Sequence, residues 1–309
     1  MVLTVTLNPA LDYTMKVSGF AVNAVNRVQR ARMDPGGKGI NVSKWVKALG
    51  GETVAIGIIR GRTGNMIRDA LASEGIVTDF VTAPGETRTN IKIADPDGKT
   101  NTDINAQGDP VERDMLEAVS QRLTDRVRPG DIVVLAGRNP PGTPDDLLPT
   151  WIRLFQGKGA KVFLDVDDDA LRAGLSAGPF LAKPNDAELS RLVGRALASP
   201  EDVAQAARTL LSGETARLVV SLGSRGALFL WENRTLYAGG LSVPVGSTVG
   251  AGDAMVAALA YSESKGLSLE EALPLAMASG AASVMQSGTQ VADPAQVRKL
   301  AELVQYEEW

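Results

Sequence analysis

Short apolar runs of strand length alternate with amphipathic helical segments along most of the chain, and this alternation is what most constrains its fold. The predicted strands, most of them rich in β-branched residues, are residues 2–7, 53–59, 131–136, 161–166 and 217–221. The helical segments between them end at glycines or at a Pro-Gly pair and are residues 40–49, 65–74 and 111–126. An alternation of this kind predicts an α/β fold in which helices cover a parallel sheet.

Two stretches, residues 12–32 and 87–105, break the alternation, because polar and apolar residues alternate there as in half-exposed antiparallel strands. Asp97-Gly98 predicts a hairpin turn within the second stretch. We interpret the two stretches as a small β appendage that closes over a site or pairs with its copy in a dimer. From Ala251 onward the pattern becomes almost wholly helical, with predicted helices at residues 251–265, 269–286 and 294–305.

The composition restricts the chemistry, because the 309 residues include no histidine and no cysteine. Without histidine the commonest general base and the Ser/His/Asp and Cys/His triads are excluded. Acid–base chemistry is therefore left to Asp, Glu, Lys or Tyr. The lack of cysteine excludes disulfides and thiolate metal sites, and it suits a reducing compartment.

Charge and hydropathy exclude two classes of partner. The net charge of −4, from 32 basic and 36 acidic side chains, provides no sequence-wide attraction for nucleic acid or an anionic membrane. An anionic small molecule would need a local basic pocket. No window reaches the roughly 18 consecutive apolar residues of a membrane span, and the start of the chain lacks the features of a signal peptide. We therefore expect a cytoplasmic location.

The strongest local motif is Gly250-Ala251-Gly252-Asp253, a glycine-rich turn that enters a predicted helix. Amide groups at a helix start have no intrahelical partner and carry positive partial charge, so they can hold a phosphate. The macrodipole favours the Asp253 carboxylate in the first turn. Taken alone, the motif favours a tight connection with a stabilised helix end, because short glycine-rich motifs often occur without a ligand.

A second glycine cluster, Gly36-Gly37-Lys38-Gly39-Ile40-Asn41, also opens an amphipathic helix. Lys38 and the helix-start amides can meet an anion, and the Asn41 amide can bond a sugar hydroxyl. The alternative is a turn with a solvated lysine. Neither cluster has the spacing of a P-loop, and neither has the G-x-G-x-x-G of a dinucleotide site after a strand.

Together the two clusters resemble the two signatures of the ribokinase-like (PfkB) carbohydrate kinases. Supporting stretches follow in the family's order along nearly the whole chain: Thr6-Leu7-Asn8-Pro9-Ala10-Leu11-Asp12, Thr87-Arg88-Thr89-Asn90, Lys183-Pro184-Asn185-Asp186-Ala187-Glu188 and Ser221-Leu222-Gly223-Ser224-Arg225-Gly226. The resemblance implies a single domain, residues 1–309, built as a three-layer sandwich with a mainly parallel central sheet. It also implies a small β-sheet lid from about residues 12–34 and 86–108, ATP and Mg²⁺ as cofactors, and a homodimer formed through the lid.

The start of the chain and its Gly-Gly-Lys-Gly resemble the branch of the family that acts on hexose phosphates, which includes 1-phosphofructokinases and tagatose-6-phosphate kinases. The first expectation is ATP-dependent conversion of fructose 1-phosphate to fructose 1,6-bisphosphate. Tagatose 6-phosphate and fructose 6-phosphate are the alternative substrates. A noncatalytic sensor of sugar phosphates or nucleotides is the alternative from another class, and the intact Asp253 argues against it.

The resemblance also assigns a role to each matching residue. Asp253 is expected to act as the catalytic base, and the amides of Gly250, Ala251 and Gly252 to face the transferred phosphoryl group. The residues expected to bind the sugar phosphate are Asp12, Arg27, Gly37, Lys38, Asn41, Arg88 and Asn90. The residues expected to bind ATP are Lys183, Asn185, Glu188, Ser221, Gly223 and Gly226. Asn185 and Glu188 are further expected to place Mg²⁺, through water.

One loop departs from the family pattern. Where relatives commonly have Ser-Gly-Ser-Leu-Pro-x-Gly, this chain has Ala136-Gly137-Arg138-Asn139-Pro140-Pro141-Gly142. Because that loop usually lies beside the substrate, the departure bears on the choice of sugar phosphate. Arg138 either adds a phosphate contact or faces solvent.

Overall fold

The computed structural model describes residues 1–211, 215–231 and 233–309. The strands in these ranges are β1 (Val2–Thr6), β2 (Ala10–Lys16), β3 (Arg30–Gly36), β4 (Thr53–Arg60), β5 (Val77–Ala83), β6 (Arg88–Asp95), β7 (Thr100–Ile104), β8 (Ile132–Ala136), β9 (Lys161–Asp165), β10 (Leu181–Ala182), β11 (Arg217–Ser221), β12 (Ala227–Trp231), β13 (Arg234–Ala238) and β14 (Tyr306–Glu308). The helices are α1 (Lys38–Ala48), α2 (Gly61–Ser73), α3 (Arg113–Arg126), α4 (Leu147–Gly157), α5 (Asp168–Leu175), α6 (Asp186–Val193), α7 (Pro200–Leu210), α8 (Ala251–Lys265), α9 (Leu269–Val284) and α10 (Pro294–Ala301).

The large sheet has the strand order β14-β13-β12-β11-β10-β9-β8-β1-β4-β5. Its strands from β11 to β5 are parallel, whereas β12, β13 and β14 are added antiparallel at one end. Helices cover both faces, so every residue of β8 is buried. Val133 and Leu135 face a core shared with α3 and α4, and Ile132 and Val134 face a core shared with α8 and α9. The predicted α/β sandwich with a mainly parallel sheet is confirmed.

A second sheet, the small sheet, has the strand order β3-β2-β6-β7. Its strands come from the two stretches predicted to form a β appendage. The expected antiparallel pairing is wrong for one pair, because β2 and β6 are parallel. Both strands leave the same end of the large sheet, β2 after β1 and β6 after β5, and therefore run in the same direction. The predicted hairpin joins β6 to β7, with Asp95 paired to Thr100.

The C-terminal part is less helical than predicted. The helix α9 ends at Val284 and α10 ends at Ala301, before the predicted ends. The last residues form β14, which pairs with the exposed edge of β13. Trp309 holds this end by stacking on Tyr237 with ring centroids 4.8 Å apart. A three-residue strand is too short to show a periodic pattern in the sequence. Its formation depends on pairing with β13 and on the ring contact of Trp309, which are both tertiary contacts.

The topology gathers polar residues at one edge of the large sheet. Parallel strands bring their carboxyl ends to the same edge, where α/β proteins bind ligands. Asp165 ends β9, Gly137 follows β8 and Lys183 follows β10. The starts of α1 and α8 lie beside them, as described below. Within the described ranges, no helix is both long enough and apolar enough to cross a membrane.

Candidate active site

The Asp253 carboxyl lies in the first turn of α8. Gly250 precedes the helix with a φ of 87°, a left-handed conformation that glycine adopts without steric cost. Among the described residues no side chain caps this helix start, and the first backbone bond runs from the Ala254 N–H to the Gly250 carbonyl at 2.9 Å. The earlier amides are therefore left to face a ligand. Asp253 is only 6% exposed, so its carboxylate has little water around it.

Asn41 connects the two glycine-rich motifs. It lies in the first part of α1, and its Nδ2 donates a hydrogen bond to Oδ2 of Asp253 at 2.8 Å. Its own Oδ1 is buried and, among the residues described, has no donor. A buried acceptor without a partner costs free energy unless a ligand satisfies it. The unpaired oxygen therefore points to a donor, such as a hydroxyl group, supplied by a ligand.

Asp165 forms the centre of a charge network behind this carboxylate. It is 2% exposed, and its Oδ1 lies 3.4 Å from Lys38 Nζ and 3.5 Å from Lys183 Nζ. Burial alone would raise the pKa of Asp165, but the charges of Lys183 and Lys38 outweigh it and lower that pKa. Lys38 also pairs with Asp167 at 2.7 Å. Burial lowers the pKa of Lys38, yet Asp165, Asp167 and Asp253 together raise it above its usual range.

The pKa of Asp253 is raised to about 6, first by burial and next by the negative charge of Asp165. Lys38, the Asn41 hydrogen bond and Lys183 act in the opposite direction and limit the rise. The carboxyl is therefore ionised at neutral pH but binds a proton more readily than an ordinary aspartate. A proton acceptor whose pKa lies near the working pH is what general-base catalysis requires.

A cavity of about 330 Å³, the Asp253 cavity, opens between the small sheet and the starts of α1 and α8. The small sheet contributes Asp12, which is buried. Asp12 accepts hydrogen bonds from Asn90 Nδ2 at 2.9 Å and from Lys92 Nζ at 3.1 Å. This volume lies in the range of small-ligand sites. The polar lining suits a hydroxyl-rich molecule.

The guanidinium groups of Arg88 and Arg138 line the same cavity. Arg88 donates to the carbonyls of Asn8 at 3.0 Å and Ala106 at 2.8 Å, which fix its orientation. In the part of the chain that the structure describes, neither Arg88 nor Arg138 forms an ion pair with a carboxylate. Burial lowers the pKa of Arg88, and the nearby charge of Arg138 lowers it further, although Asp12 opposes both. Two like charges held this close favour an anion between them.

The residues predicted to bind ATP lie where the large sheet meets α6. Asn185 and Glu188 form a reciprocal capping box: Asn185 Oδ1 accepts from the Glu188 amide, and Glu188 Oε2 accepts from the Asn185 amide, both at 2.8 Å. Asn185 also forms a parallel bridge with Ser221 at the end of β11. Glu188 is buried, and burial raises its pKa.

The donors present suit Mg²⁺ held largely through water. Magnesium takes oxygen ligands and usually keeps several waters together with substrate phosphates. Asp165 Oδ2 is buried and has no hydrogen-bond donor among the described residues, and Asp165 is close enough to influence the pKa of Glu188. The described residues contain no cluster of three or more acidic, histidine or cysteine ligands. Asn185 Oδ1, in contrast, is already used by the helix cap.

Most of the predicted site residues are brought together. The Asp253 cavity is lined by Asp12, Gly37, Lys38, Asn41, Arg88, Asn90, Gly250 and Asp253. Ala251 and Gly252 continue the turn, and a Cβ on Gly252 would lie 3.1 Å from Lys183 Nζ, which joins the cavity to the ATP-side residues. Gly223 and Gly226 shape the turn after β11. Arg27 lies apart, exposed between β2 and β3, so its substrate role stays a prediction.

Among the described residues, four charged residues of the site were not predicted: Lys92, Asp103, Asp165 and Asp167. Lys92 is two residues after Asn90 on β6, so strand periodicity places it on the same face. Asp165 ends a predicted strand, and only its place at the carboxyl edge of the sheet could have indicated that it belongs to the site. Arg138 was left open between a phosphate contact and solvent, and it is exposed yet lines the Asp253 cavity.

Comparison with known proteins agrees with this geometry. Residues 5–296 match the pfkB family carbohydrate kinase. The chain is 36% identical over 304 residues to the 1-phosphofructokinase of Rhodobacter capsulatus, covering 98% of this chain and 96% of the relative. It is 34% identical over 292 residues to the D-tagatose-1-phosphate kinase of Bacillus licheniformis, covering 93% and 94%. The crystal structure of Escherichia coli phosphofructokinase-2 in complex with fructose-6-phosphate superposes with a TM-score of 0.92 at 30% identity, covering 98% of each chain. The chain therefore belongs to the pfkB family of carbohydrate kinases.

Proposed function

We propose that this kinase transfers the γ-phosphoryl group of ATP to the free primary hydroxyl of fructose 1-phosphate, which yields fructose 1,6-bisphosphate. The observation that carries the proposal is the position of Asp253. Its buried carboxylate, with a pKa of about 6, lies at the start of α8 and in a cavity that also holds Arg88 and Arg138, neither of which has a carboxylate partner among the described residues. One end of that cavity suits proton removal and phosphoryl transfer, and the arginines suit a phosphate already on the sugar.

In the proposed reaction, the Asp253 carboxylate accepts the proton of the sugar hydroxyl. The hydroxyl oxygen forms the new bond to the γ-phosphorus while the bond to the departing ADP oxygen breaks. Asn41 orients the base through its 2.8 Å hydrogen bond, and its free Oδ1 receives a second sugar hydroxyl. A base of this kind typically contributes about 10²–10⁴-fold to the rate.

The start of α8 stabilises the charge that develops on the transferred group. The amides of Gly250, Ala251 and Gly252 belong to a turn with no side-chain cap, so they are available to the phosphoryl oxygens. Preorganised donors at a site of developing charge lower the barrier because they need no reorganisation during the reaction. Lys38 and Lys183 add positive charge on the side facing Asp165.

The sugar phosphate is held from the small sheet and its neighbouring loops. We assign its phosphate to Arg88 and Arg138, since paired guanidinium groups match phosphate oxygens in charge and geometry. Its hydroxyls are assigned to Asp12, Asn41 and Asn90, and the Gly37 backbone lies close by. Lys38 is already bound to two aspartates, so it acts on the transferred group more than on the existing phosphate.

ATP is assigned to the edge of the large sheet that carries Ser221, Gly223 and Gly226, with Lys183 beside its phosphates. Glu188 and Asp165 are the carboxylates that would hold Mg²⁺, through water in the case of Glu188. When bound, the metal neutralises charge on the nucleotide phosphates. Asn185 fixes the position of Glu188 through the capping box.

The choice of sugar rests on the relatives. Two of them are named for substrates that carry the phosphate on carbon 1, fructose in one case and tagatose in the other. These ketoses differ in configuration only at carbon 4. Tagatose 1-phosphate is therefore the second candidate, ahead of fructose 6-phosphate, with which a structural neighbour was crystallised, and ahead of tagatose 6-phosphate.

A coupled assay of ADP release over the four sugar phosphates tests the proposal. We expect fructose 1-phosphate to have the highest kcat/KM. A higher kcat/KM for another of the four would replace the substrate but keep the reaction. ATP and sugar-phosphate binding without any ADP release would contradict the kinase mechanism and favour a sensor.

We further propose a single domain, residues 1–309, in which the small sheet acts as a lid and pairs with its copy in a homodimer. The register places Met33, Tyr13, Ile91 and Ile104 in one row across the sheet, on the opposite face from the row of Asp12 and Asn90. Met33 and Ile104 are 50% and 54% exposed, and an exposed apolar row of this kind favours burial against a second chain. Light scattering should show a dimer for the wild type and a monomer for Met33→Glu/Ile104→Glu. A wild-type monomer would contradict this arrangement.

A cytoplasmic location, expected from the cysteine-free composition, stays a prediction.

A further inference from the structure

A second and larger cavity, the basic cavity, has a volume of about 810 Å³, and its described lining residues differ from all those of the Asp253 cavity. One wall is formed by β2, β3 and the hairpin after β6, which belong to the small sheet. The other wall is formed by the loops that carry Val245 and Ser287, which belong to the body of the domain. A ligand in this cavity would therefore touch both parts of the molecule. The volume lies in the range of specific small-molecule sites.

Of the residues that the structure describes, four cationic side chains line the basic cavity: Lys16, Arg30, Arg32 and Lys99. Arg32 is bound to Asp34 at 2.8 Å and to the Ser287 carbonyl, so it already bridges the two walls. The other three have no carboxylate partner in the described ranges. Lys16 and Arg30 are directly opposite one another on neighbouring antiparallel strands. Like charges in that position destabilise a sheet, and an anion between them removes the repulsion.

Asp95, the one carboxylate among the described residues that line the basic cavity, does not neutralise these cations. Its Oδ1 accepts from the amides of Gly19, Asp97 and Gly98 at 2.9–3.2 Å, and its Oδ2 accepts from the Phe20 amide at 2.9 Å. The hydrogen bonds from these amides, that of Gly98 first, lower the pKa of Asp95. The negative charge of Asp95 is therefore stabilised by the backbone amides of the two turns that it joins. The positive charge of the cavity remains for a ligand.

We propose that the basic cavity is a second binding site, for a small phosphorylated molecule with at least two phosphoryl groups. Several cations on separate strands match separate phosphoryl groups better than one compact anion. No aromatic side chain is present among the described residues that line the cavity, so the site has no platform on which a base would stack. Recognition therefore rests on the phosphoryl groups. The bound ligand would tie the small sheet to the body of the domain, as the contact from Arg32 to Ser287 does.

The test is a calorimetric titration with inorganic tripolyphosphate of enzyme that already holds ADP and fructose 1-phosphate. We expect the wild type to bind one tripolyphosphate per chain, and Lys16→Gln/Arg30→Gln to bind it at least about tenfold more weakly, as removal of two charge-assisted contacts requires. The matched control is Arg298→Gln/Lys299→Gln, which removes the same two charges from the exposed face of α10 and should bind like the wild type.

A single substitution on the hairpin, Lys99→Gln, should also weaken binding, and it gives a second reading if the double variant folds poorly. Turnover without polyphosphate should be unchanged in all of these variants. Further arms with fructose 1,6-bisphosphate and with ATP identify whether a sugar bisphosphate or a nucleoside triphosphate is the natural source of the phosphoryl groups. Because all variants share one active site, the comparison between them does not depend on which sugar the kinase phosphorylates. Equal affinity in the wild type and in Lys16→Gln/Arg30→Gln, or no binding to the wild type, would overturn the proposal.

Discussion

Asn41 of α1 donates its side-chain amide to the carboxylate of Asp253 on α8 at 2.8 Å, across 212 positions of sequence. This bond joins the starts of two helices that each follow a glycine, Gly37 in one case and Gly250 in the other. Each glycine cluster alone is compatible with a simple helix start. Their contact makes one site of the two motifs, since the base, the amide groups and an unpaired acceptor then face the same cavity.

The first prediction concerns pH. Because the pKa of Asp253 is raised to about 6 and the base must be ionised, kcat/KM should fall as pH drops below about 6. Lys38 lowers the pKa of Asp253, so Lys38→Gln should move this acidic limb to higher pH. The control is Lys92→Gln, whose ammonium pairs with Asp12 instead, and which should leave the limb in place. A flat profile between pH 5 and 8, or the same limb in both variants, would count against the role of the charge network.

A second prediction separates the two roles of Glu188. Glutamine also completes a capping box at this position, so Glu188→Gln should keep the melting temperature near that of the wild type. It removes the charge next to the proposed Mg²⁺ position, so the Mg²⁺ concentration needed for half-maximal activity should rise roughly tenfold or more. Asn185→Ala, which removes the cap, should instead cost about 1 kcal/mol of stability. Unchanged Mg²⁺ dependence in Glu188→Gln would limit Glu188 to its structural role.

The third prediction concerns Arg88 and Arg138. Arg88→Ala and Arg138→Ala should each raise KM for the sugar phosphate roughly 10-fold to 100-fold, as the loss of a charged hydrogen bond implies, and should affect KM for ATP much less. The double variant should lose less than the sum of the two, because both groups are proposed to hold one phosphate. Arg113→Ala, at an exposed ion pair on α3, is the control. Equal effects on both substrates would argue against the clamp.

A fourth prediction uses the glycine next to the base. A Cβ on Gly252 would lie 3.1 Å from Lys183 Nζ, so Gly252→Ala must displace the lysine and crowd the amides that face the phosphoryl group. We expect kcat to fall while stability is kept, because alanine favours a helix over glycine by up to about 1 kcal/mol. Gly157→Ala in α4, where a Cβ would meet nothing within 4 Å, is the matched control and should leave kcat unchanged. Normal turnover in Gly252→Ala would show that this turn does not approach the reacting group.

The sequence predicted the fold and most of the site because the relevant signals are local. Buried β-branched runs and glycine-bounded helices define the large sheet, and α8 was predicted with its observed ends, Ala251–Lys265. The motifs placed Asp253 and Asn41 correctly at the starts of their helices. The parallel pairing of β2 with β6 was missed, because pairing direction depends on where both strands leave the large sheet.

The charge network around Asp165 could not be predicted from the sequence, for a different reason. Asp165 meets Lys38 and Lys183 only because three separate strands or helices end at one edge of the sheet. No spacing in the chain encodes that contact. The raised pKa of Asp253 follows from the same assembly, since burial and the charge of Asp165 cause it. Arg27 is exposed between β2 and β3, and the substrate role that its motif match gave it stays a prediction.

The central claim is that Asp253 removes the proton, and the rate of phosphoryl transfer in Asp253→Asn tests it most directly. Rapid-quench single turnover, with enzyme in excess over ATP and with saturating fructose 1-phosphate, isolates the chemical step. The melting temperature of the variant above pH 6 is the control for correct folding, and it should not be lower than that of the wild type. The raised pKa of Asp253 means that its buried charge destabilises the folded protein above that pH. The account predicts a rate lower by about 10²–10⁴-fold, with dissociation constants for both substrates within a few fold of the wild type. A transfer rate near that of the wild type would contradict it.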